Sequence, residues 1–200
     1  MSEQIQLAVP VTNRDHARGP ADAAVTLVEY GDYECPHCSR AYPIVNEIRD
    51  RLEDDLRFAY RHFPLTEIHP HAEVAAEAAE AAGAQKHFWE MHDMLFENQD
   101  RLAEPDLVHY ARLLGLDVHT FERELIAGTY ANRVAEDFLG GVRSGVHGTP
   151  TFFINGIRHE GSYDLPVLLG AVLAAADQLP APPVALSDLW GPYVPPQPGG

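Results

Sequence analysis

The chain has 200 residues, 46% hydrophobic and 22% charged, with a formal net charge of −16. That length supports one domain with a proper core, or a domain carrying an insertion. The acidic balance argues against a nucleic-acid partner or attachment to anionic lipid, and the apolar runs are too short to cross a bilayer.

Residues 1–20 read as an N-terminal extension. Ile5, Leu7 and Val9 alternate and predict a short edge strand, whereas Asn13 to Pro20 reads as loop. The opening, Met1-Ser2-Glu3-Gln4-Ile5-Gln6, has neither a basic n-region nor an apolar h-region. A cytoplasmic protein is therefore expected, or a periplasmic or other extracytoplasmic one whose leader has been removed. Ala24 to Tyr30 is nearly all apolar and predicts a central, buried strand. Glu29 interrupts it. Its carboxylate either points to solvent or is buried, where it must be paired or protonated. The pattern leaves both open.

Pro36 to Leu52 predicts a helix with Tyr42, Ile44, Val45, Ile48 and Leu52 as its apolar stripe. Pro36 suits the first turn, and Pro43 should kink the helix. Leu56 to His62 reads as a strand, giving a βαβ unit. From about 70 to 145 the chain is helical. An alanine-rich helix from Ala72 to Ala82 should keep Glu73, Glu77 and Glu80 outside and end at Gly83. Four more follow: Gln85–Glu97, Asp106–Leu114, Thr120–Ile126 and Tyr130 to about Arg143. Phe88, Trp89, Met91, His92, Met94, Leu95 and Phe96 read as core rather than as a cofactor box. Thr151–Ile154, Asn155-Gly156 and Ile157–Glu160 form a hairpin pattern, since Asn-Gly favours a type I′ turn. Leu165 to Ala176 is a last amphipathic helix. Beyond it, residues 179–200 hold seven of the chain's 16 prolines and read as an extended tail in which Trp190 and Tyr193 could dock on the body.

The division is thus residues 21–67 and 146–178 building one mixed α/β sheet domain, with an all-helical insertion at 68–145. The chemistry falls at the first strand–helix junction. Cys35 and Cys38 are the only cysteines. A thiol at a helix start meets free N–H groups and the positive end of the dipole, which favour the thiolate. Cys38 lies one turn on, on the same face. Such a pair can close a small disulfide, or one thiol can attack and the other resolve. A zinc site would need further ligands, and His37, His62, His69, His71 and His147 offer no clean spacing. His62, His69 and His71 read as surface histidines. His37, within the first helical turn, is expected to stabilise the thiolate, and Gly148 to supply backbone freedom.

With these motifs in order, the chain resembles the DsbA-type thiol-disulfide oxidoreductases, a thioredoxin fold carrying a helical insertion. The carrying segments are Val28-Glu29-Tyr30-Gly31-Asp32-Tyr33-Glu34-Cys35-Pro36-His37-Cys38, Arg61-His62-Phe63-Pro64-Leu65, Gln85 to His92, and Gly148-Thr149-Pro150-Thr151-Phe152-Phe153-Ile154-Asn155-Gly156. The resemblance covers roughly residues 15 to 178. It implies that Cys35 is the nucleophile, Cys38 the buried resolving thiol, and Pro36 and His37 the redox-tuning dipeptide. It implies that Thr149-Pro150 is the cis-proline loop, which packs on the disulfide and pairs with substrate backbone. It also implies that Glu29 is the buried acid below Cys38. The expected partners are cysteine-bearing proteins or peptides and a redox partner (thioredoxin-like, quinone-linked or a small thiol), with no metal, organic cofactor, nucleic acid or membrane. The alternative of another class is a peptide-binding, chaperone-like module in which the redox pair is secondary.

Overall fold

The structure, a computed structural model, describes residues 4–177. Five strands form one sheet: β1 His16–Arg18, β2 Val25–Gly31, β3 Leu56–His62, β4 Thr151–Ile154 and β5 Ile157–Arg158. Their spatial order is β1-β3-β2-β4-β5. β2 and β3 run parallel and every other pair is antiparallel. Helix α1 (Pro36–Leu52) bridges the parallel pair, and α7 (Leu165–Asp177) closes the chain. Between β3 and β4 lie α2 Ala72–Ala84, α3 Phe88–Glu97, α4 Glu104–Leu113, α5 Val118–Ile126 and α6 Ala131–Arg143. This is the expected thioredoxin-like mixed sheet with an inserted helical block.

The alternation of β2 sorts its side chains onto two cores. Val25 and Leu27 join Phe58, Tyr60, Val45, Ile48, Leu168 and Val172 on the face covered by α1 and α7. Val28 and Tyr30 pack with Ala59, Phe63 and Phe153 on the opposite face, against which Phe138 of α6 packs. Burying a Leu, Ile or Val side chain contributes about 1.5–3 kcal/mol. The two-sided burial of β2 therefore fixes its register, and with it the place where the chain emerges into Asp32–Cys35. Asn155 (φ 48°) and Gly156 (φ 79°) take the left-handed conformations that the two-residue hairpin requires.

Several expectations change. The edge strand lies at His16–Arg18, inside the segment read as loop, whereas Ile5–Val9 contributes a single bridge, Gln6 to Ile157. Three residues of mixed polarity carry no period that marks a strand. α1 runs through Pro43 as one helix. Gly83 lies within α2 instead of ending it. Glu77 and Glu80 are buried, at 8% and 6% exposure. The reason is enclosure: α2 packs against α3, α4, α5 and α6. Its alanines are the sign of close approach rather than of an exposed surface helix. His159 and Glu160 fall outside β5. The proline-rich segment at 179–200, with Trp190 and Tyr193, lies outside the described residues.

Candidate active site

Cys35 occupies the N-cap of α1 with extended backbone (φ −74°, ψ 122°), and no acidic side chain stands in the first helical turn. Within the first turn, the negative charge that this helix start can receive is therefore a thiolate. Cys35 is 4% exposed and Cys38 fully buried. The Cys35 thiol is pulled down to about 5, first by the hydrogen bond from the Cys38 thiol. Burial opposes this, while Thr149 and the backbone amides of Cys38 and His37 add to it. Cys38 moves the other way, well above the ordinary thiol value, because of burial, its hydrogen bond to Cys35 and the nearby Glu29. One thiol is thus favoured as the thiolate and its neighbour keeps its proton.

His37 contributes through its backbone amide. Its Nδ1 accepts from Arg40 at 2.8 Å and lies 3.2 Å from the Tyr163 hydroxyl, so the ring is engaged away from the sulfur. The Thr149–Pro150 bond is cis. The Cys35 thiol donates to the Thr149 carbonyl at 3.4 Å. The buried Thr149 hydroxyl has no other partner and is placed to donate once the thiolate forms. Gly148 sits outside the left-handed region and a side chain there would meet open space, so its backbone freedom is not required. Pro36 fills the first helical position.

Glu29 is 2% exposed, which excludes the solvent-facing reading. Burial, with the Cys35 charge second, raises its carboxyl to about 8. It is a neutral acid at pH 7 on the same sheet face as Cys38.

Several residues at the site were not singled out from sequence. Asp32 is a buried clasp. One carboxylate oxygen accepts the Glu34 amide at 2.8 Å; the other accepts the Leu65 amide at 2.9 Å and lies 2.7 Å from His69 Nδ1. Glu34 in turn accepts the His71 amide at 2.6 Å and lies 2.9 Å from its Nδ1. His69 and His71, read as plain surface residues, tie the 65–71 loop to the nucleophile loop. The Gln99 side-chain amide donates to the carbonyls of Tyr33 (2.7 Å) and Cys35 (3.0 Å), which joins the helical insertion to the same loop. The available signal was the pair of carboxylates, Asp32 and Glu34, standing just before Cys35.

His62, the third histidine read as a surface residue, is 1% exposed. Among the described residues, His62, Glu80 and Asp137 stand close enough to hold a metal, and neither cysteine belongs to that group. The Arg133 guanidinium already fills the place, hydrogen-bonded to Asp137 and 3.7 Å from Glu80. A cavity of about 320 Å³ on the Tyr30 face is lined by Arg14, paired with Glu136, Arg61, paired with Asp15, Arg133, paired with Asp137, and by Arg143.

The fold and the paired thiols at the start of α1 define a thioredoxin-type protein. The thioredoxin family profile matches residues 11–172, and the chain belongs to that family. In fold it is similar to BdbD from Bacillus subtilis in its oxidised form, with a TM-score of 0.76 at 24% identity over 87% of this chain and 97% of that one. A thioredoxin-like oxidoreductase from Silicibacter pomeroyi gives 0.74 at 27% identity over 84% and 95%. Curated relatives are proteins named Na(+)/H(+) antiporter NhaA. One from Salinispora arenicola is 52% identical over 172 residues and one from Salinispora tropica 50% over 174. The alignments take in 86% of this chain but 26% of each relative, so the chain spans about a quarter of their length.

Proposed function

We propose that the chain is a thiol-disulfide oxidoreductase that exchanges a Cys35–Cys38 disulfide or dithiol with cysteine-bearing proteins or peptides. The observation that carries this reading is the placement of the two thiols: Cys35 at the N-cap of α1 against Thr149, and Cys38 fully buried one turn on, which pulls the first thiol down and pushes the second up. In the oxidising direction a substrate thiolate attacks the Cys35 sulfur. The Cys35–Cys38 bond breaks, Cys38 leaves as a thiolate and takes a proton, and a Cys35–substrate disulfide forms. A second substrate thiolate attacks the substrate sulfur of that mixed disulfide and releases Cys35 as its thiolate. The substrate has lost two electrons and the enzyme has gained them. Reduction of a substrate runs the same path backwards.

A stabilised Cys35 thiolate favours the dithiol form and makes Cys35 a good leaving group, which supports the oxidant direction. The dithiol must then be reoxidised by a redox partner, thioredoxin-like, quinone-linked or a small disulfide. Substrate backbone would pair beside Pro150 as an added strand. Ile68, 69% exposed on the loop that Asp32 and Glu34 tie to the nucleophile, offers an apolar contact. No helix among the described residues is long and apolar enough to cross a membrane. We assign the antiporter name of the relatives to the part of their sequences that this chain does not match.

The test is trapping. Cys38→Ala should accumulate a mixed disulfide at Cys35 with a cysteine-bearing peptide, and Cys35→Ser should abolish insulin disulfide reduction. If Cys35→Ser keeps the insulin activity, the reading fails. Retained protection of an unfolding client by an inactive Cys35→Ser protein would favour the peptide-binding alternative.

A further inference from the structure

The cavity on the Tyr30 face stands apart from the thiols. Tyr30 packs in the core on one side of the sheet, and Cys35 and Cys38 in the core on the other. Its walls are the 9–15 segment, the ends of β2 and β3, and α6. Helix α6 turns Glu136, Leu139, Gly140 and Arg143 toward it, the i, i+3, i+4, i+7 set of one helical face. Its volume of about 320 Å³ falls at the lower end of small-molecule sites.

Two features of this lining ask for an occupant. The first is its unused donors. Asp15 accepts from Arg61 and the Thr12 amide, Asp137 from Arg133 and the His62 amide, and Glu136 from Arg14. Arg143 is exposed and pairs with nothing among the described residues. Tyr30 is fully buried, and its hydroxyl accepts from Arg61 at 3.0 Å. An arginine only donates, so the hydroxyl proton of Tyr30 still needs an acceptor, and none stands among the described residues. The second feature is Gly140. A methyl there would lie 3.5 Å from the Tyr30 hydroxyl and 3.6 Å from Val9 Cγ2, which are ordinary contact distances. Its neighbour Gly141 differs, because a side chain there would strike the Phe63 ring at 2.6 Å. Packing therefore demands glycine at 141 and not at 140, although glycine weakens a helix interior relative to alanine. What the missing methyl at 140 leaves is open space between α6, Tyr30 and Val9.

We propose that this cavity binds a small organic carboxylate, whose charged end takes the free donors of Arg143 and Tyr30 and whose apolar end lies against Val9, Leu139 and the gap at Gly140. The charge of the lining selects a monoanion. Four guanidiniums against three carboxylates leave one positive charge, in a chain whose net charge is −16. A carboxylate cancels that charge and matches the planar fork of Arg143. A phosphate dianion would overshoot it beside Asp15, Glu136 and Asp137. Leu139, half-exposed on α6, gives the mouth its apolar side. The site is independent of the thiol-disulfide exchange proposed above and goes beyond it.

The test is calorimetric titration of the full chain with hexanoate at neutral pH and low salt. Hexanamide, which has the same chain without the charge, and inorganic phosphate are the comparisons. Hexanoate should bind saturably at one site, and both comparison compounds about tenfold more weakly or worse. Arg143→Ala removes no contact within the protein and should weaken hexanoate about tenfold. Gly140→Leu fills the gap and should abolish binding; should that variant fail to fold, Arg143→Ala decides. The proposal is overturned if hexanoate shows no saturable binding up to about 10 mM. It is equally overturned if hexanamide or phosphate binds as tightly as hexanoate, if Arg143→Ala binds hexanoate like the unaltered protein, or if a folded Gly140→Leu protein keeps the site.

Discussion

Glu29 and Glu80 are both buried carboxyls, and the fold treats them in opposite ways. Glu29 faces the cysteines with no cation beside it, and its carboxyl rises to about 8. Glu80 lies between His16 Nε2, 3.0 Å from each of its oxygens, and His62 Nε2 at 2.9 Å, with Arg133 3.7 Å away. Those partners hold it far below the usual carboxylate range despite its burial. Burial alone makes a carboxylic acid; burial among hydrogen-bonding partners and a guanidinium makes a carboxylate. The first is left without an ionic partner. The second ties β1, β3, α2 and α6 together and has no free capacity for chemistry.

The sharpest way to break this comparison is to remove each carboxyl. Glu80→Ala should destabilise the protein by about 3 kcal/mol in urea unfolding at pH 7. This is the low end for a broken buried ion pair. The Glu80 contribution is that of a depressed carboxyl: present above the unfolded value of about 4.5 and lost as pH falls below it. Glu29 has the opposite sign. Its folded value is raised, so the stability it contributes is complete below about 4.5 and falls as pH rises toward 8. Relative to Glu29→Gln, the unaltered protein should lose about 3 kcal/mol between pH 5 and pH 7, near 1.4 kcal/mol per pH unit. Parallel stability curves for the two proteins would contradict a buried, protonated Glu29.

Smaller effects separate the causes of Cys35 reactivity. Cys38→Ala removes the largest stabilising hydrogen bond. It should raise the midpoint of the Cys35 thiolate absorbance at 240 nm by about one unit or more. His37→Ala keeps the backbone amide that reaches the sulfur and should shift that midpoint by less than about half a unit. Gln99→Ala should cost about 1 kcal/mol in thermal unfolding, from two lost bonds to the nucleophile loop, and should leave the Cys35 midpoint in place.

The local patterns were legible. α1 (Pro36–Leu52) and β3 (Leu56–His62) fall where the apolar period placed them, and the Asn155-Gly156 turn follows from the left-handed preference of its two residues. What the period cannot give is enclosure. Ala72 to Ala82 has the same alternation of alanine and glutamate whether one side is wet or all sides are covered. Glu80 and His62 were therefore misplaced until the surrounding helices were known. The same holds for His69 and His71, whose acidic partners Asp32 and Glu34 lie 37 residues away in sequence. Glu29 was visible as an anomaly, but its burial needed the sheet. Strand His16–Arg18 left too few residues for any pattern.

The central claim is that the two thiols are held in opposite protonation states, with the dithiol form favoured. The reduction potential of the Cys35–Cys38 couple tests this most directly, measured by equilibration with glutathione buffers and quantified by alkylation and mass. We expect a value well above that of thioredoxin, about −270 mV, because a stabilised Cys35 thiolate favours the reduced form. A potential at or below thioredoxin's would contradict it.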